Sequence, residues 1–235
     1  MSERVVVVAV DGPAASGKST VSRTVARALG FIYVDSGAMY RTVTWKALET
    51  GVNVDDPAAV VKMLRTMKVC FELVGGEVRM LVDGVDPGGA IRAPRVEEKV
   101  SVIAAIPEVR QVLVEHQRSL TKFGSLVMEG RDIGSVVFPN TPHKFYLSAN
   151  PEVRARRRAG DLEAMKVQAN QAGVAQELQR RDKLDSTRQT SPLQIAPGAT
   201  IVDNSKQGAD TAAKIILEHI GHQSVQRGSR GVEAG

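Results

Sequence analysis

The chain has 235 residues, enough for one sizeable α/β domain or for such a core with a small insertion. Its hydrophobic share of 43% and charged share of 24% are ordinary for a globular protein and argue against a largely disordered chain. Lys and Arg outnumber Asp and Glu by 31 to 26, so the net charge of +5 favours an anionic ligand, nucleotide or nucleic acid. Aromatic residues make up only 4%, which counts against stacking on exposed bases.

The sequence also indicates the cellular compartment in which the protein is expected. No apolar run approaches the length of a membrane span, and the run at residues 5–10 is too short for a signal peptide. Cys70 is the only cysteine, so no intrachain disulfide can form and a reducing compartment fits. We therefore expect a cytoplasmic protein. Because Cys70 lies in a β-type run, we expect a small buried hydrophobic side chain rather than a nucleophile.

The first predicted elements surround a phosphate-binding loop. An apolar strand at residues 5–10 leads into GPAASGKS at residues 12–19, which matches GxxxxGK[ST] at every fixed position, and a helix to residue 29 follows. Loop N–H groups and the helix N-terminus would bind phosphates, Lys18 would reach the outer ones and the Ser19 hydroxyl would contact Mg²⁺. An accidental Gly-rich turn is the alternative, and the strand–turn–helix context argues against it. The predicted nucleotide-phosphate residues are Gly12, Pro13, Ala14, Ala15, Ser16, Gly17, Lys18, Ser19 and Thr20.

Further along the chain, short apolar strands alternate with helices. Beyond the first, the predicted strands of the core are residues 31–34, 125–128, 143–147 and 199–202. The predicted helices are residues 37–50, 57–67, 94–105, 107–122, 174–185 and 211–220, with another that begins at Pro151. Five such strands predict an α/β fold with a mostly parallel sheet covered on both faces. The polar, Gly-rich segment 221–235 is expected to be disordered.

Two β-type runs break this alternation. Residues 69–73 and 77–82 are separated by Gly75 and Gly76, and further glycines follow. A β-rich stretch of this kind inside an α/β chain predicts an insertion.

The segment DSGAMYR at residues 35–41 follows the second strand. Parallel sheets place ligand groups at the carboxyl ends of their strands, so Asp35 is predicted near the phosphates, where it would hold a Mg²⁺-bound water. Arg41 would bind a second phosphate. The alternative makes Asp35 a helix N-cap and Arg41 a solvated side chain.

A second acidic and basic pair follows the strand at 125–128. In EGRDIG at residues 129–134, Arg131 is predicted to bind phosphate and Asp132 to accept a hydrogen bond from an exocyclic amine. The alternative is a surface ion pair of little energetic value.

Two further arginine clusters lie in predicted helices. Arg181, Asp185 and Arg188 would form one polar stripe if the helix extends that far, or an ordinary charged helix face. In residues 150–158, Arg154, Arg157 and Arg158 share a helical face and fit a mobile flap over a transferring phosphoryl group. A solvated basic helix or a nucleic-acid patch is the alternative for that cluster.

With these segments in hand, the chain resembles the bacterial cytidylate kinases, a family in the nucleoside monophosphate kinase group of P-loop proteins. The resemblance covers residues 5–220. It depends on DGPAASGKST at 11–20, DSGAMYR at 35–41, EGRDIGSVVFP at 129–139 and RRDKLDSTR at 180–188, in this order.

The resemblance implies a P-loop fold with a five-stranded parallel core, ATP with Mg²⁺ as phosphoryl donor and CMP or dCMP as acceptor. It implies a core at residues 1–62 and 101–220, a monophosphate-binding insertion at 63–100 and an arginine lid at about 150–162. It suggests Ser36, Arg110, Asp132 and Arg188 around cytosine, and Ser101, Arg181 and Asp185 at the pentose. It places Arg41 and Arg131 on the acceptor phosphate, with Arg157 and Arg158 in the lid.

Cytosine chemistry agrees with this assignment. The pairing edge of cytosine offers one amino donor beside two acceptors, which match a carboxylate and a guanidinium group. Uracil would set a carbonyl against Asp132 and leave buried groups unpaired. One departure concerns Ala14, where some relatives carry a serine that can contact the acceptor phosphate.

Two alternative functions remain open from the sequence. One is a kinase with another acceptor, such as UMP or a small metabolite. The other is a nucleotide-gated protein that binds nucleic acid through residues 154–158. We expect neither nucleic acid nor membrane as a partner, and a monomer, because no long heptad pattern is present.

Overall fold

A computed structural model of the chain describes residues 5–164, 170–206 and 208–230. In these ranges the strands are β1 Val7–Asp11, β2 Ile32–Asp35, β3 Val69–Val74, β4 Glu77–Val82, β5 Leu126–Gly130, β6 His143–Ser148 and β7 Thr200–Asp203. The α-helices are α1 Lys18–Leu29, α2 Ser36–Glu49, α3 Pro57–Thr66, α4 Pro94–Ala105, α5 Pro107–Ser119, α6 Pro151–Ala164, α7 Gln171–Thr187 and α8 Ala209–Arg230. The predicted α/β class is confirmed.

The strands form one sheet in the order β3-β4-β2-β5-β1-β6-β7. The five strands from β2 to β7 in this order pair in parallel, with β1 between β5 and β6. This is the predicted five-stranded parallel core. Because all five strands run the same way, their carboxyl ends lie along one edge, where ligand groups collect.

Helices cover both faces of the sheet because β1 is apolar on both sides. Ala9 packs into a core with α2, α3, α4 and α5, whereas Val8 and Val10 pack into a second core with α1 and α8. All three side chains are fully buried. Alternating side chains of one strand thus serve two cores, which explains why its sequence is continuously apolar rather than alternating.

The predicted insertion contains an antiparallel hairpin of β3 and β4, followed by a 3₁₀ helix at Gly88–Arg92 and by α4. The hairpin joins the main sheet, since β4 pairs with β2 at Tyr33 and Glu77. The burial expected for Cys70 is wrong: the thiol is exposed. It lies on β3, an edge strand of the sheet, where alternate side chains face away from the core.

The carboxyl-terminal helix is longer than predicted. α8 continues from Ala209 to Arg230, beyond Gly221, where a disordered tail was expected to begin. The prediction for residues 231–235 lies outside the described residues. None of the helices described here has the combined length and apolar character needed to cross a bilayer.

Gly12 allows the tight packing at the start of the phosphate loop. Its φ is +154°, and a Cβ there would lie 2.2 Å from the carbonyl oxygen of Leu147 on β6. We expect Gly12→Ala to lower the free energy of unfolding by about 2–4 kcal/mol, through backbone strain and overpacking. Urea denaturation measures this loss.

The matched control is Gly51→Ala, where φ is +70° but nothing beyond the residue itself and its chain neighbours lies within 4 Å of the added Cβ. That change should cost about 1–2 kcal/mol, from left-handed strain alone. Equal losses for the two variants would contradict the argument from the Leu147 contact.

Candidate active site

A cavity of about 760 Å³ opens at the carboxyl edge of the parallel sheet. It collects almost all predicted site residues. Those that line it are Ala14, Ala15, Gly17, Lys18, Ser19, Thr20, Asp35, Ser36, Arg41, Ser101, Arg110, Arg131, Asp132, Arg157, Arg158, Arg181, Asp185 and Arg188. Gly12, Pro13 and Ser16 are not among the lining residues, and Ser16 is fully buried.

Side chains from other elements hydrogen-bond to backbone carbonyl groups of the phosphate loop. The Ser16 carbonyl oxygen accepts hydrogen bonds from Arg157 Nη1 at 3.1 Å and from Asn204 Nδ2 at 2.9 Å. The Ala14 carbonyl accepts from Arg154 Nη1 at 3.3 Å. Gly17 precedes α1 in the left-handed conformation, which most other residues adopt only with strain. These contacts fix the loop that leads into the N-terminus of α1.

Lys18 lies buried at the first turn of α1. Its Nζ donates a hydrogen bond to the carbonyl oxygen of Pro13 at 2.7 Å, which folds the side chain back along the loop. Burial, and next the positive charge of Arg131, lower the pKa of Lys18 to about 7. The ammonium group therefore lacks sufficient counter-charge, and a phosphate placed there would supply it.

This lowered pKa predicts a pH effect on the binding of ATP, the phosphoryl donor that the sequence resemblance implies. A triphosphate bound against Lys18 would stabilise the charged lysine and raise its pKa, so the complex would hold a proton that a lysine with a pKa of about 7 has largely released at pH 8. We expect uptake of about one proton per ATP at pH 8, and an affinity that falls as pH rises above 7. Calorimetry in buffers of different ionisation enthalpy measures this uptake. Lys18→Met should abolish it, and equal uptake by that variant would assign the proton to another group.

Asp35 and Arg41 form a buried ion pair. Arg41 Nη2 lies 2.7 Å from Asp35 Oδ2, which also contacts Arg92 Nη2 at 3.2 Å, and Asp35 Oδ1 accepts from the backbone N–H of Ala38. The N-cap role considered for Asp35 is therefore present. The solvated role considered for Arg41 is wrong, because only 7% of this residue is exposed. Asp35 holds the guanidinium group at the cavity wall.

The segment after β5 is anchored by Asp11, the last residue of β1. Asp11 accepts hydrogen bonds from the backbone N–H groups of Ile133 and Gly134, both at 2.8 Å. Burial raises its pKa to about 6 despite these bonds. They hold the start of a one-turn π-helix, Ile133–Val137, and so fix the position of Asp132 immediately before it.

Asp132 and Arg110 form the most deeply buried ion pair of the cavity. Arg110 Nη2 donates to Asp132 Oδ2, and Arg110 Nη1 donates to the Ala104 carbonyl at 3.2 Å. The guanidinium group also lies 5.3 Å from the ring centre of Tyr40. The surface ion pair considered from the sequence is excluded for Asp132, since 4% of that residue is exposed. The pair presents one carboxylate and one guanidinium group side by side.

Asp185 links two further arginines of the cavity. Arg131 Nε donates to Asp185 Oδ2 at 2.9 Å, and Arg188 Nη1 lies 3.8 Å from Asp185 Oδ1. The predicted stripe with Arg181 is only partly helical, because α7 ends at Thr187 and Arg188 is extended. These arginines lower the pKa of Asp185, so its carboxylate remains ionised although it is buried.

The arginines of α6 have different partners. Arg154 is buried and also contacts Asp182 Oδ2 at 2.6 Å, so it ties α6 to α7. Arg157 Nη2 donates to the Asn204 carbonyl at 2.8 Å. Arg158 Nη2 lies 3.7 Å from Glu97 Oε2. The solvated basic helix considered from the sequence is therefore excluded for these three side chains.

Sequence reasoning missed several lining residues, among them Tyr40, Glu97, Glu129 and Asn204. Glu129 and Asn204 follow or end strands of the parallel core, so the carboxyl-end rule was a usable signal for both. Glu129 accepts a hydrogen bond from Tyr33, and its carbonyl accepts from Ser36 Oγ at 2.6 Å. Glu97 and Tyr40 carried no such signal.

Comparison with known proteins identifies the family. The profile described as cytidylate kinase matches residues 8–222. The chain belongs to the cytidylate kinase family. Among curated cytidylate kinases, that of Caldanaerobacter subterraneus subsp. tengcongensis is 40% identical over 226 residues, which cover 96% of this chain and 97% of the relative. That of Symbiobacterium thermophilum is 42% identical over 217 residues, which cover 92% and 96%.

A solved structure supports the fold alone. The crystal structure of an uncharacterized protein from Eubacterium ventriosum ATCC 27560 gives a TM-score of 0.51 at 9% identity, covering 93% of this chain and 99% of that one. As a cytidylate kinase, the chain is a phosphotransferase that phosphorylates CMP and dCMP at the expense of ATP. The cavity at the carboxyl edge of the sheet is therefore the candidate binding site for both nucleotides.

Proposed function

We propose that this cytidylate kinase passes the γ-phosphoryl group of ATP directly to a phosphate oxygen of CMP or dCMP inside the cavity. The observation that carries the proposal is that Lys18 and the buried pair of Arg110 and Asp132 line one continuous cavity. The first is suited to a triphosphate and the second to the pairing edge of cytosine. In this proposal the phosphate loop binds ATP, and the wall of Ser36, Arg110, Asp132 and Arg188 binds the base.

The base-binding wall matches cytosine in its chemistry. The Asp132 carboxylate accepts from the exocyclic amine, and a guanidinium group donates to the ring nitrogen or carbonyl. Uracil places a carbonyl where the amine would be, which sets two acceptors against each other in a buried site. Ser101, Arg181 and Asp185 line the adjoining surface and are proposed to hold the pentose.

Phosphoryl transfer needs position and charge neutralisation more than proton transfer. The acceptor phosphate is already anionic, so no general base is required. Arg41 and Arg131 are proposed to neutralise it, because both line the cavity and are fixed by Asp35 and Asp185. Lys18 would bridge the outer phosphates of ATP and follow the transferred group.

The α6 helix is proposed to act as the lid. Arg157 and Arg158 both line the cavity, and Arg157 also contacts the phosphate loop through the Ser16 carbonyl. Guanidinium groups in these positions would stabilise charge spread over the transferring phosphoryl oxygens and exclude water. Exclusion of water would limit ATP hydrolysis without acceptor.

The family implies Mg²⁺, and the donors present fit it. Mg²⁺ prefers oxygen ligands and is commonly bound by one or two protein oxygens together with substrate phosphates. The Ser19 hydroxyl lines the cavity beside Lys18. Asp35 Oδ2 already meets two arginines, whereas Oδ1 meets a single N–H group, so a water held by Asp35 is proposed through Oδ1. When bound, the ion neutralises charge on the donor phosphates.

Ala14 removes one contact that some relatives make with the acceptor phosphate. Its methyl group cannot replace a hydroxyl, and its carbonyl is engaged by Arg154. In this proposal either Arg41 and Arg131 contribute more of the acceptor-phosphate binding, or a backbone N–H group replaces the missing hydroxyl.

A coupled ADP-release assay with CMP, dCMP, UMP and AMP tests the proposal. We expect CMP and dCMP to be the preferred acceptors and UMP to be at least about 100-fold less efficient, the range expected when a buried carboxylate faces the wrong group. Faster turnover with UMP would refute the role given to Asp132. Salt-sensitive RNA binding with negligible acceptor-dependent ADP release would favour the nucleic-acid alternative.

A further inference from the structure

Glu97 brings together arginines from three helices. It lies on α4, one turn before Ser101, and its side chain is 12% exposed. Arg181 Nη1 on α7 donates to Glu97 Oε2 at 2.8 Å, and Arg158 Nη2 on α6 lies 3.7 Å from the same oxygen. Arg41 Nε on α2 lies 3.7 Å from Oε1. One carboxylate thus meets three guanidinium groups inside the cavity.

The charge balance explains why Glu97 stays ionised there. Burial opposes ionisation, yet Arg181, Arg41 and Arg158 together hold the pKa of Glu97 below its usual range. Conversely, burial lowers the pKa of Arg181, and the charge of Glu97 is the largest effect that opposes it. Arg41 has a second carboxylate partner in Asp35. Glu97 is therefore the principal counter-charge of Arg181.

The same guanidinium groups would also bind the nucleotides. Under the proposed function, on which this inference rests, Arg41 binds the acceptor phosphate, Arg181 the pentose and Arg158 the transferring group. Their N–H donors cannot serve the Glu97 carboxylate and a bound nucleotide fully at once. A carboxylate beside an incoming phosphate also repels it.

We propose that Glu97 is an internal counter-anion. It is a positioning residue that holds Arg41, Arg158 and Arg181 together in the cavity, and the nucleotide phosphate has to displace it. Because Glu97 is tethered on α4, it competes at a high effective concentration with any phosphate from solution. Glu97 therefore keeps the arginines ordered while it limits how tightly the nucleotides bind.

The test compares two neighbouring glutamates. Glu97→Gln keeps the shape of the side chain and one acceptor but removes the charge, and Glu98→Gln does the same at an exposed position on the next residue. Calorimetry gives the Kd of CMP without ATP. Steady-state kinetics gives the inhibition constant of inorganic phosphate against CMP. These assays use saturating ATP, because bound ATP prevents inorganic phosphate from binding at the phosphate loop.

For Glu97→Gln we expect both constants to fall about tenfold, because a repelling like charge has been removed. Glu98→Gln should leave both within about twofold of the unmodified protein, as expected for an exposed charge. Glu97→Asp should restore the weaker binding, since it restores the charge. If Glu97→Gln does not fold, Glu97→Ala takes its place in the same comparison.

Unchanged or weaker CMP binding in a folded charge-removing variant would overturn the inference, because a purely structural glutamate predicts that result. Tighter binding by Glu97→Asp as well would overturn it too, since charge would not be the cause. The proposed function is judged separately. It fails if the unmodified protein does not transfer phosphate to CMP, whatever the Glu97 variants do.

Discussion

Replacement of Lys18 by Met is expected to lower kcat with CMP by about 1000-fold or more, since under the proposed function it removes a buried cation from the place where charge would move during transfer. The side chain keeps a similar length, so the loop should retain its shape. Lys18 is 6% exposed and begins α1, where its charge adds to that of the helix N-terminus. A coupled ADP-release assay at saturating ATP and CMP measures the loss.

Lys144→Met is the matched control. Lys144 Nζ also donates to the carbonyl oxygen of a proline five residues earlier, Pro139, at 2.6 Å, just as Lys18 donates to Pro13. It is not among the cavity residues, so its loss should leave kcat within about threefold. CMP binding should survive in Lys18→Met. Retention of a tenth of the original kcat by that variant would contradict the role given to Lys18.

Replacement of Asp132 by Asn is expected to lower the ratio of kcat/KM for CMP over UMP by about 100-fold, because an amide can donate to the uracil carbonyl as well as accept. The change also removes the charge that Arg110 faces in the buried pair, so some loss of stability is expected. Because the ratio compares two substrates on the same folded protein, this loss does not affect it. The KM for ATP should change by less than about threefold.

Asp182→Asn is the control for that experiment. Asp182 pairs with Arg154 at 2.6 Å, so the variant weakens an ion pair of the same type, but Asp182 is not among the cavity residues. We expect total activity to fall as the contact between α6 and α7 weakens. The ratio of kcat/KM for CMP over UMP should stay unchanged. Equal loss of discrimination in both variants would point to a general effect of lid or fold rather than to recognition at Asp132.

The sequence predicted the strand–loop–helix unit well because its determinants are local. Gly12 and Gly17 are needed for backbone conformations within the loop, and Lys18 begins the helix that follows directly. Asp35 and Asp132 follow or end predicted parallel strands, and ligand groups lie at the carboxyl ends of such strands, so the sequence predicts both at the cavity without knowledge of their partners. The predicted strand boundaries differ from the observed ones by at most two residues, since hydrophobic runs do not show where pairing in the sheet begins or ends.

The rest depended on contacts that are distant in the chain. Glu97 meets Arg181 across 84 residues of sequence, and nothing near either residue indicates this pair. Cys70 was expected to be buried because its strand is apolar, but burial depends on which strand forms the edge of the sheet. The helix beyond Gly221 was missed because that segment is polar and rich in glycine.

The contact between Arg110 and Asp132 has a thermodynamic consequence for recognition. Both side chains are almost fully buried, so their rotamers are already selected by the protein interior. The loss of rotamer entropy therefore occurs when the chain folds, not when the base enters. Under the proposed function, cytosine would then meet a preformed pair of side chains, and a mismatched base would find neither Arg110 nor Asp132 free to rearrange around it.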